Sequence, residues 1–258
     1  MKNLISEMRY PQIREAIDSG AFAIIPTGSN EQHGPHLPLE TDSRLVWEVV
    51  SRALDRIPEE VKVICTPVVW MGYSTHHLDF SGTISLKPET YINVIFEICE
   101  SLIIHGIRKI LIVNGHGGNI AALNVAARKV KDKYPEVLIA VITYWDLVAD
   151  IPEWKSAGHG CHACEFEADL MLALRPELVD MDAALESPVK PRSRFLGRGF
   201  FEGTFVSLIE NTAEVSANGC WGLPRNASRE AGEKLLETLV EGMREFLIDF
   251  NKWRIGDV

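Results

Sequence analysis

The sequence predicts an α/β protein, a three-layer α/β/α sandwich with a mostly parallel central sheet. Short apolar runs without alternation are typical of strands that are covered on both faces. Longer helical patterns lie between these runs, and alternating strands and helices indicate crossover units. With 258 residues, of which 46% are hydrophobic, we expect one domain over residues 1–258.

Four β-rich runs are predicted to be strands: Ala21–Pro26, Val61–Pro67, Lys109–Asn114 and Val137–Tyr144. Helical patterns cover six segments: Pro11–Ser19, Ser43–Arg56, Pro88–His105, Asn119–Tyr134, Cys164–Leu174 and Ser228–Trp253. Pro88 suits the first turn of its helix, because its φ is fixed near the helical value and its missing N–H is not needed there. Between Glu186 and Gly203, prolines, glycines and basic residues predict a long loop.

Composition and charge exclude several classes of function. The chain has 26 Lys and Arg against 36 Asp and Glu, a net charge of −10, which argues against a nucleic-acid partner. No stretch reaches the roughly 18 uninterrupted apolar residues of a membrane span, and Met1–Arg14 lacks the apolar centre of a signal peptide. We therefore expect a cytoplasmic protein with a small-molecule or peptide substrate. Five scattered cysteines indicate reduced thiols.

The first polar cluster, Gly28–Asp42, follows the first predicted strand. In an extended segment, residues two apart point the same way, so Glu31 and His33 can present a carboxylate and an imidazole to one ion. A glycine and two prolines bend the chain after His33, which could bring Asp42 back to that ion. A solvated polar loop is the alternative. We favour a site, because α/β sheets place ligands at the carboxyl ends of their strands.

The second cluster, Asn114–Asn119 (NGHGGN), also follows a predicted strand and opens a helix. Its glycines allow a tight turn and a close approach to a ligand, while His116 projects from the turn. The segment lacks the lysine of a phosphate loop. A structural turn is the alternative, but two such strand ends would bring His116 to the first cluster.

The third cluster, Gly158–Asp169, opens a helix on which Glu167 shares the inward apolar stripe. A carboxylate in that position needs a cation or strong donors, because an unpaired buried charge is very costly. Glu165 and Asp169 are predicted on a more polar face, towards solvent. Cys161 and Cys164 form a CxxC that could serve thiol–disulfide exchange, although we prefer the interpretation that they are incidental small side chains.

The fourth cluster, Gly72–Leu86, contains His76 and His77, of which His77 is the better candidate for a site residue. A mixture of carboxylates and imidazoles suits Zn²⁺, Mn²⁺ or Fe²⁺ better than Ca²⁺ or Mg²⁺. Asp42 could bridge two such ions, which together could activate a water molecule and polarise a carbonyl. His162 is our candidate for the base that moves the proton to the leaving nitrogen.

The chain resembles the creatininase (creatinine amidohydrolase) family of metal-dependent hydrolases. The resemblance is carried by GSNEQHGPHLPLETD at 28–42, GYSTHHLDFSGTISL at 72–86, NGHGGN at 114–119 and HACEFEADLMLALRPELV at 162–179. It implies a creatininase-like fold, two divalent metal ions, hydrolysis of a cyclic amide or related C–N bond, and a homo-oligomer, often a hexamer. By motif, it implies four metal ligands, Glu31, His33, Asp42 and His116, and a catalytic centre that includes His162 and Glu167.

The sequence departs from true creatininases after His116. Gly117 and Gly118 stand where those enzymes have a tyrosine and an acidic residue, which argues against creatinine as the substrate. Glu167 is then also a candidate to complete the metal shell, and Glu165 is the alternative. The candidate substrate contacts are His77, Gly117, Gly118 and Phe166.

Family relatives include a formamide hydrolase for a pyrimidine nucleotide, a peptidase and a hydrolase of oxidised inositols, and shared fold does not choose among them. Basic residues in the predicted loop suggest an anionic substrate or a solvated basic segment: Arg192, Arg194 and Arg198. Two further hypotheses stay open. One is a thiol–disulfide protein that uses Cys161 and Cys164, and the other is a catalytically silent metal-binding homologue.

Overall fold

A four-stranded parallel sheet lies at the centre of the protein. The computed structural model describes residues 3–151, 162–188, 193, 195–196 and 206–256. The strands lie in the order β2-β1-β3-β4, with bounds β1 Phe22–Thr27, β2 Val63–Cys65, β3 Lys109–Asn114 and β4 Leu138–Thr143. Each strand lies within a predicted run or within one residue of it. The predicted parallel α/β fold is confirmed.

Helices cover both faces of the sheet. Their bounds are α1 Tyr10–Asp18, α2 Thr41–Leu54, α3 Pro88–Ile104, α4 Ile120–Lys133, α5 Glu165–Leu174, α6 Thr212–Val215 and α7 Arg229–Phe250. In β1, Phe22 and Ile24 pack with α2, α5 and α7, whereas Ala23 and Ile25 pack with α3 and α4. This alternation of buried side chains produces the three layers.

The order of the strands creates a crevice between β1 and β3. From β1 the chain passes through α2 to β2 on one side, and it then passes through α3 to β3 on the other side of β1. Ligands of open α/β sheets bind where the connections diverge in this way, at the carboxyl ends of the strands. The first and second polar clusters follow β1 and β3 and therefore meet at this point.

Two helices, α2 and α7, begin at or near their predicted first residues. Helix α2 begins at Thr41, two residues earlier than predicted, so Asp42 lies in its first turn, where the helix dipole favours a carboxylate. Helix α7 begins after Ser228, whose hydroxyl accepts a hydrogen bond from the Ala231 N–H at 3.1 Å. The predicted start of this helix at Ser228 is confirmed.

The prediction that Asp169 meets solvent is wrong. Its side chain is buried, because the N-terminus of α7 packs against this face of α5, and the Ser228 N–H donates to Asp169 Oδ1 at 2.6 Å. Glu165 is half-buried.

Most of the predicted loop at 186–203 lies outside the described residues. In the described part of the chain, every helix is too short or too polar to cross a lipid bilayer.

Candidate metal centre

Five side chains from four parts of the fold meet in the crevice. Glu31 and His33 follow β1, Asp42 begins α2, His116 follows β3 and Glu167 points inward from α5. None of the five is more than 4% exposed. Their donor atoms form overlapping groups of three, and within each group every atom lies within 4.8 Å of the others.

The first group consists of Glu31, Asp42 and His116. His116 Nε2 lies 3.2 Å from Glu31 Oε2, and His116 Nδ1 lies 3.1 Å from Asp42 Oδ2. Two ligand atoms bonded about 2.0–2.2 Å from one tetrahedral ion are roughly 3.3–3.6 Å apart. An imidazole binds an ion through one nitrogen, so only one of these two contacts can join two ligands of the same ion. One donor atom from each of the three residues nevertheless lies within 4.8 Å of the other two.

The second group consists of His33, Asp42 and Glu167. His33 Nε2 lies 3.2 Å from Asp42 Oδ1 and 3.6 Å from Glu167 Oε1. Asp42 thus directs one oxygen to each group, as a carboxylate that bridges two ions would. A third grouping joins Glu31 and His33 to His162, whose Nδ1 lies 3.6 Å from Glu31 Oε1.

The hydrogen bonds of these residues fit a cation. His33 Nδ1 lies 3.1 Å from the Glu31 carbonyl oxygen, which only accepts, so Nδ1 carries the hydrogen. In the neutral ring, the lone pair of Nε2 then faces two carboxylates. Among the five candidate ligands, three buried carboxylate oxygens have no hydrogen-bond partner in the described part of the chain: Glu31 Oε1, Glu31 Oε2 and Asp42 Oδ2. Buried anionic oxygens without donors need positive charge nearby, and two divalent ions would supply it.

Charges in the cluster shift the pKa of its members strongly. Burial opposes a charge on His116, but Glu31 and Asp42 outweigh it and raise the pKa of His116 to about 10. His33 behaves alike, since Asp42 and Glu167 overcome burial and hold its pKa well above the usual value. Burial also acts to raise the pKa of Glu31, yet the surrounding histidines hold it well below its usual value. Without a metal ion, this centre binds protons in its place.

His77 and His162 behave in the opposite way. Burial lowers the pKa of His77 to about 3 and holds that of His162 well below its usual value, and neighbouring histidines add to both effects. His77 Nε2 lies 3.3 Å from Glu31 Oε1, so this ring contacts a candidate ligand. His36 is buried too but belongs to none of the three groups, and burial lowers its pKa to about 4.

The two glycines after His116 shape the mouth of the site. A Cβ at Gly118 would lie within 3 Å of both His116 Nε2 and the Tyr73 oxygen, so this backbone leaves no room for a side chain. At Gly117 a Cβ would meet nothing within 4 Å. Glu167 contributes a carboxylate to the second group from α5.

A cavity of about 290 Å³ opens onto the cluster. Besides the predicted site residues, it is lined by four others: His76, Ile120, Trp145 and Trp221. By sequence, His76 is the weaker candidate of its pair. The tryptophans come from distant segments, and no local pattern distinguishes them from core residues. A larger cavity of about 510 Å³ lies near Trp47 and Trp70, and the described residues that line it include no histidine.

The expectation that Phe166 contacts substrate is not supported by its position. Its side chain is fully buried, belongs to the apolar core and has its ring centroid 6.4 Å from that of Tyr144. Phe166 lies in the first turn of α5 with its side chain towards the core, whereas Glu167 points to the cavity. Cys164 is also fully buried, and Cys161 lies outside the described residues, as do Arg192, Arg194 and Arg198.

Comparison with known proteins gives one consistent family. A family model described as "Creatininase: Creatinine amidohydrolase" matches residues 6–247. The chain is 28% identical to the creatinine amidohydrolase of Pseudomonas putida, over 93% of this chain and 94% of the relative. It is also 28% identical to the mycofactocin precursor peptide peptidase of Mycolicibacterium smegmatis, over 86% of this chain and 82% of the relative.

A solved structure described as "Creatininase Mn" has the same fold. It superposes with a TM-score of 0.82 at 24% sequence identity, covering 98% of this chain and all of the other. The likeness extends over the sheet and both helical layers.

Proposed function

The chain belongs to the creatininase family, whose model spans nearly its whole length, and on that basis we propose that it is a metal-dependent hydrolase of a small amide. The bond cleaved is a C–N bond of a cyclic amide, a formamide or a related substrate. The observation that carries this proposal is the shared position of Asp42, which directs one carboxylate oxygen to each of two groups of buried ligands.

In this proposal one ion is held by Glu31, Asp42 and His116, and the other by His33, Asp42 and Glu167. The mixture of imidazole and carboxylate donors suits Zn²⁺, Mn²⁺ or Fe²⁺. When bound, such a pair supplies Lewis acidity that polarises a carbonyl and makes water a better nucleophile near neutral pH.

We assign the transfer of the proton to His162. Its ring lines the cavity, its Nδ1 faces Glu31 Oε1 at 3.6 Å, and burial keeps it neutral and able to accept a proton. From Nδ1 the proton can pass to the leaving nitrogen. His77 lies beside the same carboxylate, with its Nε2 3.3 Å from Glu31 Oε1.

The lining of the cavity favours a compact, uncharged substrate. A volume of about 290 Å³ accommodates a small ring, and Trp145 and Trp221 offer flat apolar walls that exclude water. Among the described lining residues there is no lysine or arginine to bind a phosphate. Gly117 and Gly118 let the substrate approach the backbone beside His116. Because no acidic side chain follows His116 here, we do not propose creatinine itself.

Replacement of Glu167 by glutamine tests the metal centre. Glu167→Gln should lose most of the second metal ion and nearly all turnover, because a charged ligand is removed. The measurement is metal content per chain, with rates on a panel of lactams, formamides and short peptides, with and without a chelator. Glu165→Gln is the matched control on the same helix and should keep both metals and activity. Full activity in metal-free protein would exclude the proposed mechanism.

Replacement of His162 by alanine separates a hydrolase from a catalytically silent homologue. The variant should still bind metal but turn over substrate about 10²–10⁴-fold more slowly, the usual contribution of a positioned base. His105→Ala is the control, because that histidine is exposed at the end of α3. If wild-type protein binds two ions and cleaves nothing in the panel, the silent homologue is the better description.

The alternative thiol–disulfide function needs an accessible thiolate. The side chain of Cys164 is fully buried, which argues against it. Cys164→Ser should therefore leave hydrolysis largely intact.

From the family resemblance we further propose a homo-oligomer, with a hexamer as one form, and a cytoplasmic location. Light scattering of the purified protein and cell fractionation measure these two properties.

A further inference from the structure

The side-chain amide of Gln32 lies between the rings of His77 and His162. It is buried, and its Nε2 lies 2.8 Å from His77 Nδ1, 2.9 Å from His162 Nε2 and 3.0 Å from the Gly219 carbonyl oxygen. An amide nitrogen carries only two hydrogens. At most two of these three contacts are therefore full hydrogen bonds donated by Gln32.

The orientation of this amide is fixed by the backbone. The N–H of Gly34 donates to Gln32 Oε1 at 2.9 Å. A main-chain N–H only donates, so the oxygen of the amide must face Gly34 and the nitrogen must face the two rings. A flipped amide would place two donors against each other.

A count of hydrogens then determines the state of both rings. His162 Nε2 lies 2.7 Å from the main-chain oxygen of Gln32, which only accepts, and this shorter contact places the hydrogen of the ring on Nε2. The 2.9 Å contact between His162 Nε2 and Gln32 Nε2 then joins two donors and is not a hydrogen bond. The Gln32 amide is left with two acceptors for its two hydrogens, the Gly219 oxygen and His77 Nδ1. His77 Nδ1 is therefore unprotonated.

We propose that Gln32 is a positioning residue that fixes the tautomers of His77 and His162, with the hydrogen of each ring on Nε2. In His77 this places the hydrogen on the ring nitrogen nearest a candidate metal ligand, with Nε2 3.3 Å from Glu31 Oε1. His162 directs its hydrogen to the backbone and presents an unprotonated Nδ1 to the cavity. The role of this Nδ1 as a base rests on the proposed hydrolase, whereas the assignment of the tautomers does not.

Solid-state NMR of the full-length, zinc-loaded protein tests the assignment without any turnover. With ¹⁵N-labelled histidine, each ring nitrogen resonates in a separate range according to whether it carries a hydrogen, and single histidine replacements assign the signals. We expect an unprotonated Nδ1 and a protonated Nε2 on both rings. A protonated Nδ1 on either ring of the wild-type protein would overturn the proposal.

Gln32→Glu is the decisive variant, because a carboxylate accepts hydrogen bonds and cannot donate them. The His77 Nδ1 signal should move into the range of protonated nitrogens, while the two His162 signals keep their ranges, since the partner of His162 is a main-chain oxygen. Movement of the His162 Nε2 signal, or none at His77, contradicts the assignment. Gln32→Met is the second variant if the carboxylate prevents folding, and His77 should then lose its single tautomer.

Thr212→Val is the matched control. The Thr212 hydroxyl lies 2.9 Å from His77 Nδ1, and valine keeps nearly the same shape without it. If Gln32 sets the tautomer, the signals of His77 should keep their ranges in this variant. If they change in Thr212→Val and not in Gln32→Glu, the hydroxyl sets the tautomer and the proposal is wrong. Metal content and thermal unfolding of each variant show that the site is intact.

Discussion

Two buried carboxylates of this protein, Asp42 and Asp169, have opposite surroundings. Both lie in the first half of a helix, and both are almost completely shielded from solvent. Asp169 accepts a hydrogen bond from the Ser228 N–H and ties α5 to the start of α7. Asp42 Oδ2 has no hydrogen-bond partner among the described residues and faces an imidazole nitrogen at 3.1 Å. A buried carboxylate with a backbone donor has a structural role, whereas one that lies among imidazoles and other buried carboxylates indicates a cation site.

The largest expected effect follows from Asp42→Asn. Asparagine keeps the shape but removes the negative charge that the two groups of ligands share. Affinity for both ions should fall by more than the roughly 10–100-fold that follows loss of a residue outside the ligand shell. Isothermal titration of the metal-free protein with Zn²⁺ measures both sites.

Asp169→Asn is the control for this experiment and should bind two ions as the wild type does. If Asp42→Asn binds two ions with unchanged affinity, Asp42 is not a ligand and the contrast between the two carboxylates disappears.

The second prediction concerns stability. Asp169→Ala should lower the free energy of unfolding by about 1–3 kcal/mol, because a partly buried hydrogen bond between the Ser228 N–H and the buried Asp169 side chain is lost. Asp169→Asn should lower it less, since the amide oxygen can still accept that hydrogen. Denaturant unfolding at fixed metal concentration gives both values. Equal stability of the alanine variant and the wild type would show that the contact between α5 and α7 does not depend on this hydrogen bond.

The same contrast shows how far the sequence alone could predict the site. Glu31 and His33 were predictable because side chains two apart in an extended segment share a direction, and His116 because its strand neighbours β1. The inward direction of Glu167 was predictable from the spacing of apolar residues on its helix. The same spacing predicted that Asp169 faces solvent, and this prediction was wrong, because only the tertiary structure shows that α7 covers this face of α5.

Residues that reach the site from distant segments were not predictable. Trp145 follows β4, and Trp221 lies after α6, far from any of the polar clusters. The role of Gln32 was hidden for another reason. Gln32 lies between two predicted metal ligands in the sequence. The orientation of its side-chain amide depends on contacts with His77, Gly34 and Gly219, and Gly219 lies 187 residues away along the chain.

The third prediction concerns the release of protons when metal binds. In the metal-free centre the pKa of His116 is raised to about 10 and that of His33 lies well above its usual value, so both rings are protonated at pH 7. Metal binding requires neutral imidazole, so each ring must release one proton. Apparent affinity should therefore rise with pH through the neutral range and fall as the solution is acidified, by about tenfold per pH unit for each proton released.

Calorimetric titration in buffers of different ionisation enthalpy counts these protons. We expect close to two protons released when both ions bind, and the same number in Asp169→Asn, whose carboxylate is not part of the centre. An observed heat that is identical in all buffers would mean that no proton is displaced. The carboxylates around His33 and His116 would then not hold the protons that a metal ion replaces, and the difference between Asp42 and Asp169 would need another explanation.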